Sequence, residues 1–296
     1  MTASNPRIAF RLGPDAPRLE PLEGAHLLVL PILNVEHWPF GSPMPRTLLT
    51  PPHGAANGPD VANFTWVEYG LRCGVPRMVA VAAELGVPLT AALNASVATH
   101  YRPVLDLLLA HGCDIVAHGV VQRSLQLSDD PAATIAESLD LLEAATGTRP
   151  LGWLGPGMSQ TADTPELLVA AGVRFNHDWM LDDRPVRLAT ANGPLVGLPY
   201  TLECNDVPVY AIGHQPDGQL AARVAATLDA LAPEAVRNPL IVPIGLHPHL
   251  MGVGHRIAEW RAILTDALAR PGVRIVTSSE LYRWYIDQQP GDGPLP

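Results

Sequence analysis

The sequence predicts an α/β fold: a largely parallel sheet, closed as a barrel or doubly wound, with helices outside. Three observations carry this expectation. Short apolar runs of strand length alternate with helical stretches about seven times in one continuous series. Glycines at 86, 112, 147 and 172 follow the helical stretches, where a left-handed residue ends a helix. Polar residues collect where the predicted strands end, the place where alternating β/α folds carry their chemistry.

Residues 1–24, rich in proline and charge, read as an extended N-terminal arm. Ala25–Asn34 is a buried strand in which Pro31 suggests an edge or a bulge. Leu71–Leu85 is helical up to Gly86, and Val87–Leu93 is the next strand. Tyr101–Ala110 is helical, followed by strand Asp114–His118. Pro131–Ala145 is a helix that Asp130 can cap, with Pro131 in its first turn and Ile135, Leu139 and Leu142 on one face. Pro150–Leu154 is a strand. A helix starting at Thr164-Pro165-Glu166 leads to strand Val173–Asn176. Leu220, Val224, Leu228 and Leu231 mark a helix, Leu240–Leu246 a strand, and Trp260, Ile263, Leu264 and Leu268 another helical face. Val273–Thr277 is the last strand, and Ser278 can cap a final helix through Gln288. One domain is expected over 25–288, with a tail over 289–296. Two long segments interrupt the rhythm, His37–Trp66 and Leu181–Gly218. Loops of that length suggest lids or oligomer contacts, or ordinary surface excursions.

The chain of 296 residues carries a net charge of −10 and has no Lys/Arg cluster, which argues against nucleic-acid and anionic-membrane partners. No apolar run reaches the roughly 18 residues that a membrane span requires. The start lacks a basic segment followed by an apolar one, so no export signal is expected. Three cysteines without a CxxC pair fit a reducing compartment. A cytoplasmic protein acting on a small molecule is expected.

Asn34, Glu36 and His37 follow the first strand, and His118 ends the third. Gly155-Pro156-Gly157-Met158-Ser159 follows the strand at 150–154. His177, Asp178, Asp182 and Asp183 come after Asn176, and His247 and His249 follow Leu240–Leu246. Lone histidines such as His26, His100, His111 and His255 read as structural. Imidazoles and carboxylates gathered at one end of successive strands point instead to general acid–base chemistry.

Several motifs resemble the NodB-type polysaccharide deacetylase superfamily (carbohydrate esterase family 4), and most closely its cytoplasmic branch of metal-independent allantoinases and cyclic-imide-hydrolase-like proteins. They are Asp114-Ile-Val-Ala-His118-Gly119, Arg149-Pro150-Leu-Gly152-Trp153 with Ser159-Gln-Thr161, and Ile244-Gly-Leu-His247-Pro. Glu68-Tyr69-Gly70 with Arg72, Asp182-Asp183-Arg-Pro185 and Leu246–Gly252 add local matches, over roughly residues 25–285. The resemblance implies an irregular (β/α)7 barrel that hydrolyses a C–N bond of an amide-like substrate, often as a homo-oligomer; a dimer or tetramer is expected. There are departures. Metal-dependent members carry two adjacent aspartates where Glu36-His37 stands, a second histidine where Gln122 stands, and an arginine where Leu154 stands.

Within that frame Glu36 is the expected base for water and His247 the acid for the departing nitrogen, with Asp182 or Asp183 holding the other ring nitrogen of His247. His118 either donates to the oxyanion or binds a metal, and backbone N–H groups of Gly155–Gly157 can assist. Trp66, Trp153, Trp179, Ser159, Asp183 and His249 are the expected substrate contacts. Two cofactor states are open: none, or one zinc-like divalent ion held by His37 and His118 with a third ligand from Glu36, Gln122 or His249. The favoured substrate is a small cyclic amide, imide or ureide. The alternatives are metal-dependent deacetylation of a small N-acetylated sugar or amide, and a binding barrel without catalysis.

Overall fold

The computed structural model describes residues 4–47, 50 and 59–288; the expected tail at 289–296 lies outside them. Nine strands among the described residues share one curled sheet: β1 (Leu27–Val35), β2 (Thr90–Leu93), β3 (Asp114–Ala117), β4 (Gly152–Trp153), β5 (Phe175–Asn176), β6 (Val186–Leu188), β7 (Leu195–Gly197), β8 (Leu240–Leu246) and β9 (Val273–Ile275). Their order is β6-β7-β5-β4-β3-β2-β1-β8, and β9 pairs with the start of β1. Every pairing is parallel except the β6–β7 hairpin. Between β6 and β8 the ladder is open. It is crossed there by Ile241 N–H donating to Asp183 O (2.9 Å) and by a bridge between Asn205 and Gly245. The fold is therefore the expected irregular barrel, with one seam closed by loop backbone.

The helices are α1 (Val61–Tyr69), α2 (Val75–Leu85), α3 (Val97–His100), α4 (Arg102–His111), α5 (Pro131–Thr146), α6 (Thr164–Ala170), α7 (Gln219–Ala235), α8 (Pro248–Met251), α9 (Ile257–Ala269) and α10 (Ser278–Asp287). Asp130 caps α5 through the Ala133 N–H, as its position predicts. Thr277 rather than Ser278 caps α10, its side chain accepting from Glu280 N–H. The segment 70–74 between α1 and α2 is a wide π turn that runs tightly against α8. A Cβ on Gly70 would stand 2.5 Å from the His249 nitrogen, so only glycine permits this approach.

Two buried layers follow the period-two alternation of the strands. Leu28, Leu30 and Ile32 of β1, Val116 of β3, Phe175 of β5, Val196 of β7 and Ile241 of β8 fill the barrel interior. Leu27, Val29, Leu33 and Val35, Ala117, Trp153, Leu195 and Leu240 face the surrounding helices.

Two expectations are corrected. Pro31 marks neither an edge nor a bulge, because β1 is central. Its side toward β2 changes partner from β9 (residues 27–29) to β2 (residues 32–35), and Pro31 falls in that gap. The segment 181–218 is not a plain excursion: it contains β6, β7 and a π turn at Val207–Ile212. The N-terminal segment, described from residue 4, is anchored to the domain. Arg7 binds Glu166, and Leu19 is buried.

Candidate active site

Strand parity decides which side chains enter the barrel. Beyond β1 the interior series 28, 30, 32 continues through Asn34 to Glu36. The helix-facing series 33, 35 continues to His37. By the same count His118 extends the interior face of β3, Tyr200 that of β7 and His247 that of β8. These side chains meet at the carboxyl ends of the strands around a cavity of ≈ 140 Å³, also lined by Trp38, Gln122, Leu154, Met158, Asn205, Val207 and His249.

Glu36 is the hub. Its Oε1 accepts from Gln122 Nε2 (2.8 Å) and its Oε2 from Trp38 Nε1 (2.6 Å). Oε1 also lies 3.5 Å from His247 Nε2 and 3.8 Å from His118 Nε2. Burial alone would raise its pKa, but the two facing imidazoles outweigh burial and hold the carboxyl well below the usual carboxylate range. Glu36 is thus a firmly ionised group with little affinity for a proton.

His247 Nδ1 is paired with Asp206 Oδ1 (2.6 Å), and its backbone N–H donates to Asp206 Oδ2 (2.6 Å). Burial disfavours the charged imidazole. Asp206 on one side and Glu36 on the other overcome it and push the pKa up to about 10. At neutral pH His247 is an imidazolium whose Nε2–H faces the cavity. His249, 5.7 Å away ring to ring, is pushed down to about 3 by burial and by that cation, and stays neutral.

The Leu154 carbonyl can only accept, so the hydrogen bond to it places a proton on His118 Nδ1. Nε2 faces the site and is buried with no hydrogen-bond partner.

The structure gathers Glu36, His118, His247 and His249 and disperses the other expected site residues. Asp182 and Asp183 lie at the opposite end of the barrel. Asp183 O bonds Ile241, six residues and about 20 Å of strand before His247. Asp182 pairs with Arg11 (3.4 Å) and Arg184 (3.6 Å). The partner of His247 is Asp206, from the loop at 198–206. His37 faces outward, against Ser96 Oγ (2.8 Å) and the rings of His100 and Tyr101. Trp153 is fully buried on the helix-facing layer, and Trp179 packs against the same layer. Trp66 bonds His249 O from outside the cavity (3.3 Å), and Ser159 is paired with Ser124 (2.6 Å). The indole that does reach the cavity is Trp38. Gly155 N–H is committed to Asp178 Oδ1 (2.7 Å), which removes it as an oxyanion donor.

Asp206, Tyr200 and Asn205 were not marked by strand ends. One signal was available for Asp206: Asn205-Asp206 is a polar pair between Cys204 and the apolar Val207-Pro208-Val209.

The donor set does not suit a divalent cation. Glu36 already receives two N–H groups, Gln122 turns its N–H side toward Glu36, and His247 carries a proton. No group of three or more His, Cys, Asp or Glu among the described residues could hold an ion. The expected pair His37 and His118 is split between the two faces of the sheet.

Gly245 supports the seam beside this site. A Cβ there would fall on the Asn205 amide and within 2.8 Å of the Tyr200 hydroxyl. Gly245→Ala is expected to cost about 1–3 kcal/mol of stability and to lower activity by shifting the neighbouring Asp206. Denaturant midpoints and turnover check this, and an unchanged midpoint would show that the seam is loose.

No family profile and no curated protein sequence matches the chain. Solved structures do. Puue allantoinase superimposes with TM-score 0.81 at 23% identity, covering 97% of this chain and 96% of that one. A protein from Pseudomonas aeruginosa PAO1 assigned as a polysaccharide deacetylase gives 0.79 at 24%, covering 91% and 94%. One from Mycobacterium smegmatis, with the same kind of assignment, gives 0.79 at 22%, covering 95% and 97%. A CE4-family pseudoenzyme from Bacillus anthracis is more distant, at 0.50 and 12%, covering 86% and 65%. The fold is that of the NodB-type polysaccharide deacetylases and of the allantoinase that shares it.

Proposed function

We propose that the protein hydrolyses a C–N bond of a small cyclic amide, imide or ureide by general acid–base catalysis. The observation that carries this is a proton-bearing imidazole, His247, held between Asp206 and Glu36 and facing a second imidazole, His118, whose Nε2 has no hydrogen-bond partner, across a small cavity. A water between Glu36 Oε1 and His118 Nε2 is oriented by the carboxylate and gives its proton to His118 as its oxygen bonds the carbonyl carbon. The tetrahedral adduct collapses as the C–N bond breaks and His247 Nε2 protonates the departing nitrogen. His118 then gives up its proton to solvent and His247 takes one from it, which restores both imidazoles for the next turnover. The base role expected for Glu36 moves to His118, because a carboxylate ringed by donors has too little proton affinity.

A cavity of ≈ 140 Å³ suits a compact ring better than a sugar chain. The deacetylase assignments of two structural neighbours favour a second reading, removal of an acetyl group from a small amide. Hydantoin, succinimide, dihydrouracil, allantoin and N-acetylglucosamine separate the two: ring-opened product supports the first reading and released acetate the second. No helix among the described residues is long and apolar enough to cross a membrane, and we place the reaction in the cytoplasm, where Cys73, Cys113 and Cys204 stay unpaired.

Activity is expected to survive dialysis against a chelator, because no step runs through an ion. Loss on dialysis, restored by Zn²⁺, would overturn the metal-free mechanism.

A further inference from the structure

We propose that the Tyr200 hydroxyl donates the hydrogen bond that holds the substrate carbonyl oxygen and the oxyanion it becomes. This rests on the C–N hydrolase reading above and adds the group which that mechanism lacks.

The inference comes from counting donors and acceptors. Tyr200 is buried in the interior layer, and its hydroxyl oxygen accepts from Asn34 Nδ2 (3.1 Å) and Asn205 Nδ2 (3.3 Å). Neither amide is free to flip. Asn34 Nδ2 also donates to Leu246 O (3.1 Å), and a carbonyl can only accept. Asn205 Nδ2 also donates to Thr201 O (3.2 Å), while its Oδ1 accepts from Val207 N–H (3.0 Å). Both amides therefore turn N–H toward Tyr200 and fill the acceptor capacity of its oxygen. Its own hydrogen meets no acceptor among the described residues, and the residue lines the cavity. Burial pushes the phenol's pKa up, so the hydrogen is retained throughout the working pH range.

The placement suits an amide. The hydroxyl lies beside Gly245, two residues before His247 on the same face of β8, about 7 Å along the strand. The oxygen and nitrogen of an amide are about 2.2 Å apart, from C=O and C–N bonds of roughly 1.2 and 1.3 Å. Two donors, each about 2.8 Å from its acceptor, reach that oxygen and nitrogen across about 7 Å. Tyr200 then holds the oxygen while His247 protonates the nitrogen. Gly155 N–H, the oxyanion donor the sequence suggested, is occupied by Asp178.

The test is Tyr200→Phe in the full chain, assayed on whichever amide of the panel the wild type hydrolyses. One well-placed oxyanion donor is worth about 10²- to 10³-fold in kcat, so that loss is expected with a small change in KM. The pH titration of His247, read by NMR, should be unaltered, which separates loss of the donor from collapse of the Asn34–Asn205 scaffold. Fluorotyrosine at 200 should restore turnover and add a basic limb at the lower pKa of the fluorinated phenol. Turnover by Tyr200→Phe within about threefold of wild type overturns the Tyr200 assignment and leaves the hydrolase reading standing. If the wild type hydrolyses nothing in the panel, succinimide and hydantoin binding is measured by titration calorimetry. Binding lost in Tyr200→Phe supports the carbonyl contact while the hydrolase reading fails. Equal binding by both proteins, or none by the wild type, overturns it.

Discussion

His247→Ala is expected to lower kcat by about 10²- to 10⁴-fold, the range for loss of a positioned general acid. Asp206→Asn should approach it while leaving the imidazole in place. Both follow from one pairing: Asp206 binds both the ring Nδ1 and the backbone N–H of His247, so it sets orientation and charge together. The histidine is raised to about 10 in the fold. Its contribution to stability is therefore complete below the unfolded value of about 6.5 and is lost as pH rises through about 10. The acid form needed for catalysis disappears over the same rise. In Asp206→Asn an opposing charge is gone while burial, which pushes the pKa down, remains. The basic limb of the pH–rate profile should then move to lower pH, and NMR titration of the ring should move with it. An unmoved limb in Asp206→Asn would mean that His247 is not the acid.

Element order was legible because helices and strands differ in period and length. β8 is reproduced end to end at Leu240–Leu246, and α5 begins at the predicted cap. Strand parity was not legible. β1 is buried on both faces over all nine residues, as central parallel strands are, so its hydropathy carries no alternation from which to set a phase. The neighbours Glu36 and His37 therefore looked equally eligible, and Trp153 looked as accessible as any strand-end indole. Asp206 was hidden for another reason. It reaches His247 from a loop that joins the sheet through one bridge, Asn205 to Gly245, and no local period predicts such a contact. Asp182-Asp183, beside a strand predicted to end nearby, was the more visible pair and belongs to the far end of the barrel.

Comparison of Glu36→Gln with His37→Ala tests that parity directly, and the two effects should differ widely. Glu36→Gln puts an N–H where one of two donors, Trp38 Nε1 or Gln122 Nε2, now finds an acceptor, so one buried donor loses its partner. It also removes the anion that faces His118 and His247. Unfolding free energy is expected to fall by about 2–4 kcal/mol, through the unsatisfied donor and the uncompensated buried charge. Turnover should fall by about 10³-fold or more, because the water loses its orienting anion and the acid loses part of its charge support. The His247 pKa should fall too, since Glu36 is one of the two carboxylates that raise it. His37→Ala removes one hydrogen bond to Ser96 and two ring contacts on the helix-facing side. It is expected to cost about 1 kcal/mol and to leave kcat within about threefold of wild type. Denaturant unfolding and steady-state turnover on the same substrate decide the matter. If His37→Ala is as inactive as Glu36→Gln, then the outer face of β1 also reaches the reacting atoms. The division of the sheet into a catalytic interior and a structural exterior would then fail.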